Sequence, residues 1–172
     1  MQVPLVMTVI GKDRTGIVES VARVIAAHGG NWLESRMCRL GGEFAGILNV
    51  HVPADRRAAL IKALAKLRNL TIVVRPGKST RPVPQSQLAS LEVVGHDRPG
   101  IVREVTGALA AEKVNVEELA TECVSAPMSG ELLFQARAKL RLPAGLTVSN
   151  LRQSLEEALD GLTVDVTLAK LK

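Results

Sequence analysis

Two stretches carry residue types that could hold a small charged ligand: GKDRTGIV at residues 11–18 and GHDRPGIV at residues 95–102. Each follows an apolar run and opens a helical pattern. Asp13 and Asp97 precede those helices, and Asn31 and Asn115 each fall 18 residues later. The first N–H groups of a helix have no intrahelical partner and favour an anion such as a carboxylate. An aspartate beside them would take an ammonium group, and an amide would both donate and accept. In a βαβ unit the Asp and Asn positions are expected to come close at the edge of the sheet, a set that suits a free amino acid.

Gly16 and Gly100 are expected in the first helical turn, where helix propensity prefers almost any other residue. Absence of a side chain there would let a ligand or another backbone approach the free N–H groups. Pro99 suits the first helical position, where its missing N–H costs nothing. Each feature also has a purely structural explanation. The aspartates could complement the positive end of a helix, the glycines could serve close packing, and the asparagines could be turn residues.

The elements that must position these residues come from an internal repeat. Residues 9–34 and 93–118 align without a gap at an offset of 84, with twelve of 26 positions identical. LRNLTIVV (67–74) and LDGLTVDV (159–166) match at an offset of 92, so the second copy is expected to have gained residues around SAPMSG (125–130) and RLPAGLT (141–147). RPGKSTRPVPQSQ (75–87) has the composition of an exposed linker. The expected division is a first domain over 1–75, a linker over 76–87 and a second domain over 88–172.

Within each copy the hydrophobic period switches between strand and helix in the order βαββαβ. In the first copy a strand over 3–10 is followed by Ile17, Val18, Val21, Val24 and Ile25 at helical spacing. A hairpin over 31–39 and 43–52 turns at Gly41-Gly42. Leu60, Ile61, Leu64 and Leu67 form a second helical face before a last strand over 70–74. The second copy repeats the order at 91–94, 101–111, 114–124, 131–142, 150–159 and 162–168. This is an α+β class with two ferredoxin-like βαββαβ domains, antiparallel sheets with helices on one face. Several strands read as apolar on both faces, so the open sheet face is expected to be covered by the neighbouring copy or a second chain.

With 172 residues, 47% hydrophobic and 23% charged, the chain has material for packed cores. Trp32, Phe44 and Phe134 are its only aromatic residues, which argues against stacking on single-stranded nucleic acid. The net charge of +5 is scattered among acids, so no direct nucleic-acid contact is expected. Cys38 and Cys123 read as free, buried thiols, and no metal set is visible. No secretory signal or membrane-spanning stretch is read, which makes cytoplasmic the expected location. No nucleophile with an orienting base can be assembled, so no catalytic residue, cofactor or metal is expected.

The D-R-T/P-G-I-V loops opening a helix, the later Asn and the βαββαβ order resemble the ACT domain, in two copies over nearly the whole chain. Two such domains with no enzyme attached are similar to the family of glycine cleavage system transcriptional repressors. The resemblance implies a non-catalytic amino-acid-sensing regulator that acts through a regulatory protein partner. It implies a small-molecule amino acid as ligand, glycine being one candidate, no direct nucleic acid, no membrane and a homo-oligomer. ACT domains bind amino acids where two domains pair, using the strand–helix loop and the start of the second strand. By that resemblance Gly11, Asp13, Arg14, Gly16, Ile17 and Asn31 carry over to one site, and Gly95, Asp97, Arg98, Gly100, Ile101 and Asn115 to the other. His96 stands beside the second loop. Some serine-binding members place a His at the position of Gly11 and Gly95, whereas here His appears only at His96, one residue later, a departure that puts serine specificity in doubt. An interaction module without a ligand, or a regulatory fragment of an enzyme, are the competing readings.

Overall fold

The computed structural model describes residues 1–77, 87–126, 130–159 and 164–171. It divides the chain into two compact units, Met1–Arg81 and Pro82–Lys172. The first contains β1 (Gln2–Lys12), α1 (Ile17–Ala27), β2 (Asn31–Leu40), β3 (Glu43–Pro53), a 3-10 turn (Ala54–Arg56) running into α2 (Arg57–Leu64), and β4 (Thr71–Pro76). The second contains β5 (Leu88–His96), α3 (Ile101–Ala111), β6 (Asn115–Ser125), β7 (Leu132–Arg141), α4 (Val148–Ala158) and β8 (Val164–Lys170). Both copies therefore have the βαββαβ order. Most of the expected linker and part of the SAPMSG segment lie outside the described residues.

Each unit has one four-stranded antiparallel sheet, ordered β2-β3-β1-β4 and β6-β7-β5-β8. Strand periodicity decides which face is covered. In the first unit Leu5, Met7 and Val9 alternate inward with Leu48, Val50 and Val52, and they join Ile17, Val21 and Ile25 of α1 and Leu60 and Leu64 of α2 in one core. Eight residues cannot sustain a helix in water, so α2 depends on the anchoring of Leu60 and Leu64. In the second unit Leu91, Val93, Phe134 and Leu140 pack with Ile101, Val105 and Leu109 of α3 and Leu151 and Leu155 of α4. Thr147 caps α4, its Oγ1 accepting from Asn150 N at 3.2 Å.

The opposite sheet faces differ. The first presents Val6, Ile10, Ala45, Ile47 and Val73, with Ile10, Ile47 and Val73 about half exposed. That matches the expectation of strands apolar on both sides. The second corrects it: Ser90, Glu92, Gln135, Arg137 and Lys139 occupy the open face. Arg137 Nε lies 3.0 Å from Glu92 Oε1, and its Nη1 lies 3.4 Å from Glu122 Oε1. The face is solvated by its own ion pairs and does not require a cover.

The expectation of buried thiols is also wrong. Cys38 and Cys123 are both exposed, because they lie on β2 and β6, each an edge strand with a neighbour on only one side.

Candidate functional site

Each strand–helix loop is tied by its backbone to the adjacent hairpin. Asp13 N–H donates to Gly42 O at 3.0 Å, and Asp97 N–H donates to Leu132 O at 3.1 Å. Gly11 pairs with Phe44 in the ladder, and a Cβ added to it would lie 2.3 Å from the Asn69 carbonyl oxygen. Close backbone approach requires glycine there. Gly95 takes the matching place opposite Phe134.

Gly16 and Gly100 are the N-caps of α1 and α3, at φ 87° and 92°. Left-handed backbone is what requires glycine at these positions. The expectation that they occupy the first turn is thus corrected, and nothing lies within 4 Å of a Cβ added to either. Pro99 likewise falls two residues before the helix instead of at its first position. No side chain caps α1 or α3; at α3 the first N–H, that of Ile101, donates to Arg98 O at 3.4 Å, so the groups left to an anion there are the N–H groups around it. Ile17 and Ile101 have buried side chains, so only their backbone could meet a ligand.

The expected convergence of Asp and Asn within one domain does not occur. Asn31 pairs with His51, which pairs with Pro4, whereas Gly11 pairs with Phe44. Seven rungs separate the two levels, about 23 Å of strand. Asn115 is level with Arg141 and Leu88, again seven rungs from Gly95. Strand β2 starts where β1 starts, while the loop leaves the far end of β1, so antiparallel order keeps the two residues apart. One ligand therefore cannot touch both residues of the same domain.

The polar groups of the loops are engaged differently. Arg39 Nε lies 2.7 Å from Asp13 Oδ2, and Arg14 is exposed with no partner among the described residues. Arg98 instead pairs with Glu104, and His96 Nδ1 lies 3.7 Å from Glu131 Oε2. Asp97 has no cationic partner among the described residues. Desolvation, reinforced by the Asp97 carboxylate, holds the Cys123 thiol above its ordinary pKa. Asn31 is exposed and makes no side-chain hydrogen bond among the described residues, whereas Asn115 Nδ2 donates to Glu117 Oε1 at 2.7 Å. Arg39, Cys123 and Glu117 were not read as site residues from sequence. Their signal was present in the repeat, because Arg39 and Cys123 are 84 residues apart, as are Leu33 and Glu117. The latter two occupy the matching irregularities at Trp32/Glu34 and Val116/Glu118.

Two shallow concavities lie elsewhere, on the open sheet faces. One of about 580 Å³ is bordered by Ile10, Met37, Cys38, Ala45 and Ile47. The other, of about 420 Å³, is bordered by Ser90, Glu92, Glu118, Arg137, Lys139 and Thr167. Among the described residues no three His, Cys, Asp or Glu are grouped to hold a metal ion, and no helix is long and apolar enough to cross a membrane.

Comparison with known proteins agrees with this architecture. Models of the ACT domain match residues 3–75 and 89–134. The glycine cleavage system transcriptional repressors of Escherichia coli and Shigella flexneri are each 26% identical over 157 residues, covering 88% of this chain and 82% of theirs. A crystal structure of an unknown protein from Galdieria sulphuraria superposes over the full length of both chains, with a TM-score of 0.86 and 31% identity.

Proposed function

Because the chain belongs to the ACT-domain family, carrying two such domains, we propose that it is a non-catalytic regulator that binds an amino acid and acts through a partner protein. Its relatives' name, glycine cleavage system transcriptional repressor, supports control of transcription as the role and glycine as a first ligand to try. A cytoplasmic location accords with that role.

One observation carries the ligand reading. The same loop is built twice, with a left-handed glycine N-cap, an aspartate three residues earlier and a helix start that no side chain caps. Open N–H groups suit a carboxylate and the aspartate suits an ammonium, the two ends of a free amino acid. The separation of Asp13 from Asn31 adds that one ligand does not draw on both residues of the same domain.

A stability screen of the full chain against the amino acids tests this. A ligand at one hundred times its Kd stabilises the folded state by about 2.7 kcal/mol, which a melting curve resolves. If no amino acid raises the melting temperature, an interaction module without a ligand becomes the better reading. The open apolar face bearing Ile10, Ile47 and Val73 is what would favour it.

A further inference from the structure

The two loops share a motif but not an electrostatic setting. Around Asp13 stand Lys12, Arg14 and Arg39, with Glu43 opposite Lys12 in the ladder. Around Asp97 stand Arg98, already held by Glu104, and His96, which faces Glu131. The ladder explains the exchange. Arg39 lies opposite Phe44 and Gly11, and Cys123 lies opposite Phe134 and Gly95, so guanidinium and thiol occupy the same place in the two copies.

We infer that Asp97, not Asp13, is the acid that takes a ligand's ammonium group, and that in the first domain the Arg39 guanidinium fills that place. This rests on the amino-acid-binding reading above. The Asp13 carboxylate already has its cation at 2.7 Å. A ligand ammonium there must displace a guanidinium or share the carboxylate with it, and Arg14 adds further repulsion. At Asp97 the facing side chain is an uncharged thiol, which donates to the carboxylate without neutralising it and leaves its charge to an incoming cation. The amides are unequal in the opposite sense. Asn115 is engaged by Glu117, whereas Asn31 makes no side-chain hydrogen bond among the described residues.

Calorimetric titration of the full chain with each of the twenty amino acids tests the assignment. It compares wild type, Asp13→Asn and Asp97→Asn, and the same two changes in a double exchange of Arg39→Cys with Cys123→Arg. All four positions are exposed, so the variants keep the wild-type melting curve. Asp97→Asn weakens binding about ten-fold or more, the loss expected for a charged hydrogen bond, and Asp13→Asn leaves affinity within about three-fold. The exchange moves the sensitivity to the first loop, where Asp13→Asn becomes the damaging change. Equal losses in the two single variants, a larger loss at Asp13, or sensitivity that stays at Asp97 after the exchange would overturn the inference alone. If no amino acid binds wild type, the sensing reading fails and the inference falls with it.

Discussion

Glu117 Oε1 accepts from Asn115 Nδ2 at 2.7 Å and lies 2.9 Å from Arg141 Nε. One carboxylate thus fixes the amide at the start of β6 to the neighbouring strand. Hydrogen bonding from Arg141 lowers the Glu117 pKa below its ordinary 4.5; partial desolvation opposes this, and Asn115 and the nearby cations assist it. A group whose folded pKa is depressed contributes stability above its unfolded pKa and loses it as pH falls through the folded value. Urea unfolding should therefore show wild type more stable than Glu117→Gln at pH 7, with the gap closing below about pH 4. A gap that persists in acid would mean that the carboxylate's charge is not what matters.

Glycine N-caps at φ 87° and 92° make a separate prediction. Gly16→Ala and Gly100→Ala should each cost about 1–2 kcal/mol, the left-handed strain of an L-residue, since no neighbour obstructs the added methyl. Gly11→Ala should cost more, because its methyl meets the Asn69 carbonyl. Denaturant midpoints rank the three variants. Equal losses would remove the distinction between strain and steric conflict.

Leu60 and Leu64 tie a helix of only eight residues to the first sheet. Leu60→Ala should destabilise by about 2–5 kcal/mol. Hydrogen exchange should show α2 opening before the β1–β3 ladder. If α2 kept the protection of the central strands, its stability would come from somewhere other than that anchor.

The Cys123 thiol, exposed but beside Asp97, should be slow to react with thiolate-selective reagents near neutral pH. In a Cys38→Ser background, Asp97→Asn should speed modification of Cys123 by removing the charge that opposes ionisation. An unchanged rate would show that the carboxylate does not face the thiol.

None of the four helices carries more than two basic residues, and on α1 Arg23 lies 3.6 Å from Glu19. That is a poor recognition helix. Footprinting at physiological salt should show no sequence-specific protection by the isolated protein. Weak binding that vanishes with added salt would reflect net positive charge alone.

Element order was legible because apolar residues recur at strand and helix periods, and because the repeat let each copy check the other. The Gly41-Gly42 turn is clear from local chemistry, whereas Pro99 suggests a start for α3 two residues before its true one at Ile101. Register was not legible: the distance between Asp13 and Asn31 depends on which end of β1 lies level with the start of β2 across β3, and nothing local to either residue carries that information. Pairing across edge strands was hidden for the same reason. Arg39 and Cys123 acquire meaning only once the ladder places them at the mouths of the loops. The polar face of the second sheet could have been anticipated, since Arg137 stands where the first copy has Ile47.

Amino-acid sensing at the strand–helix loops is tested most directly by following the backbone amide resonances of the full chain during titration with glycine and then the other amino acids. Saturable shifts should appear first at residues 100–102, at the start of α3, which no side chain caps. Titration at millimolar concentration that moves no amide, or moves only those on the open sheet faces, would contradict amino-acid binding at these loops.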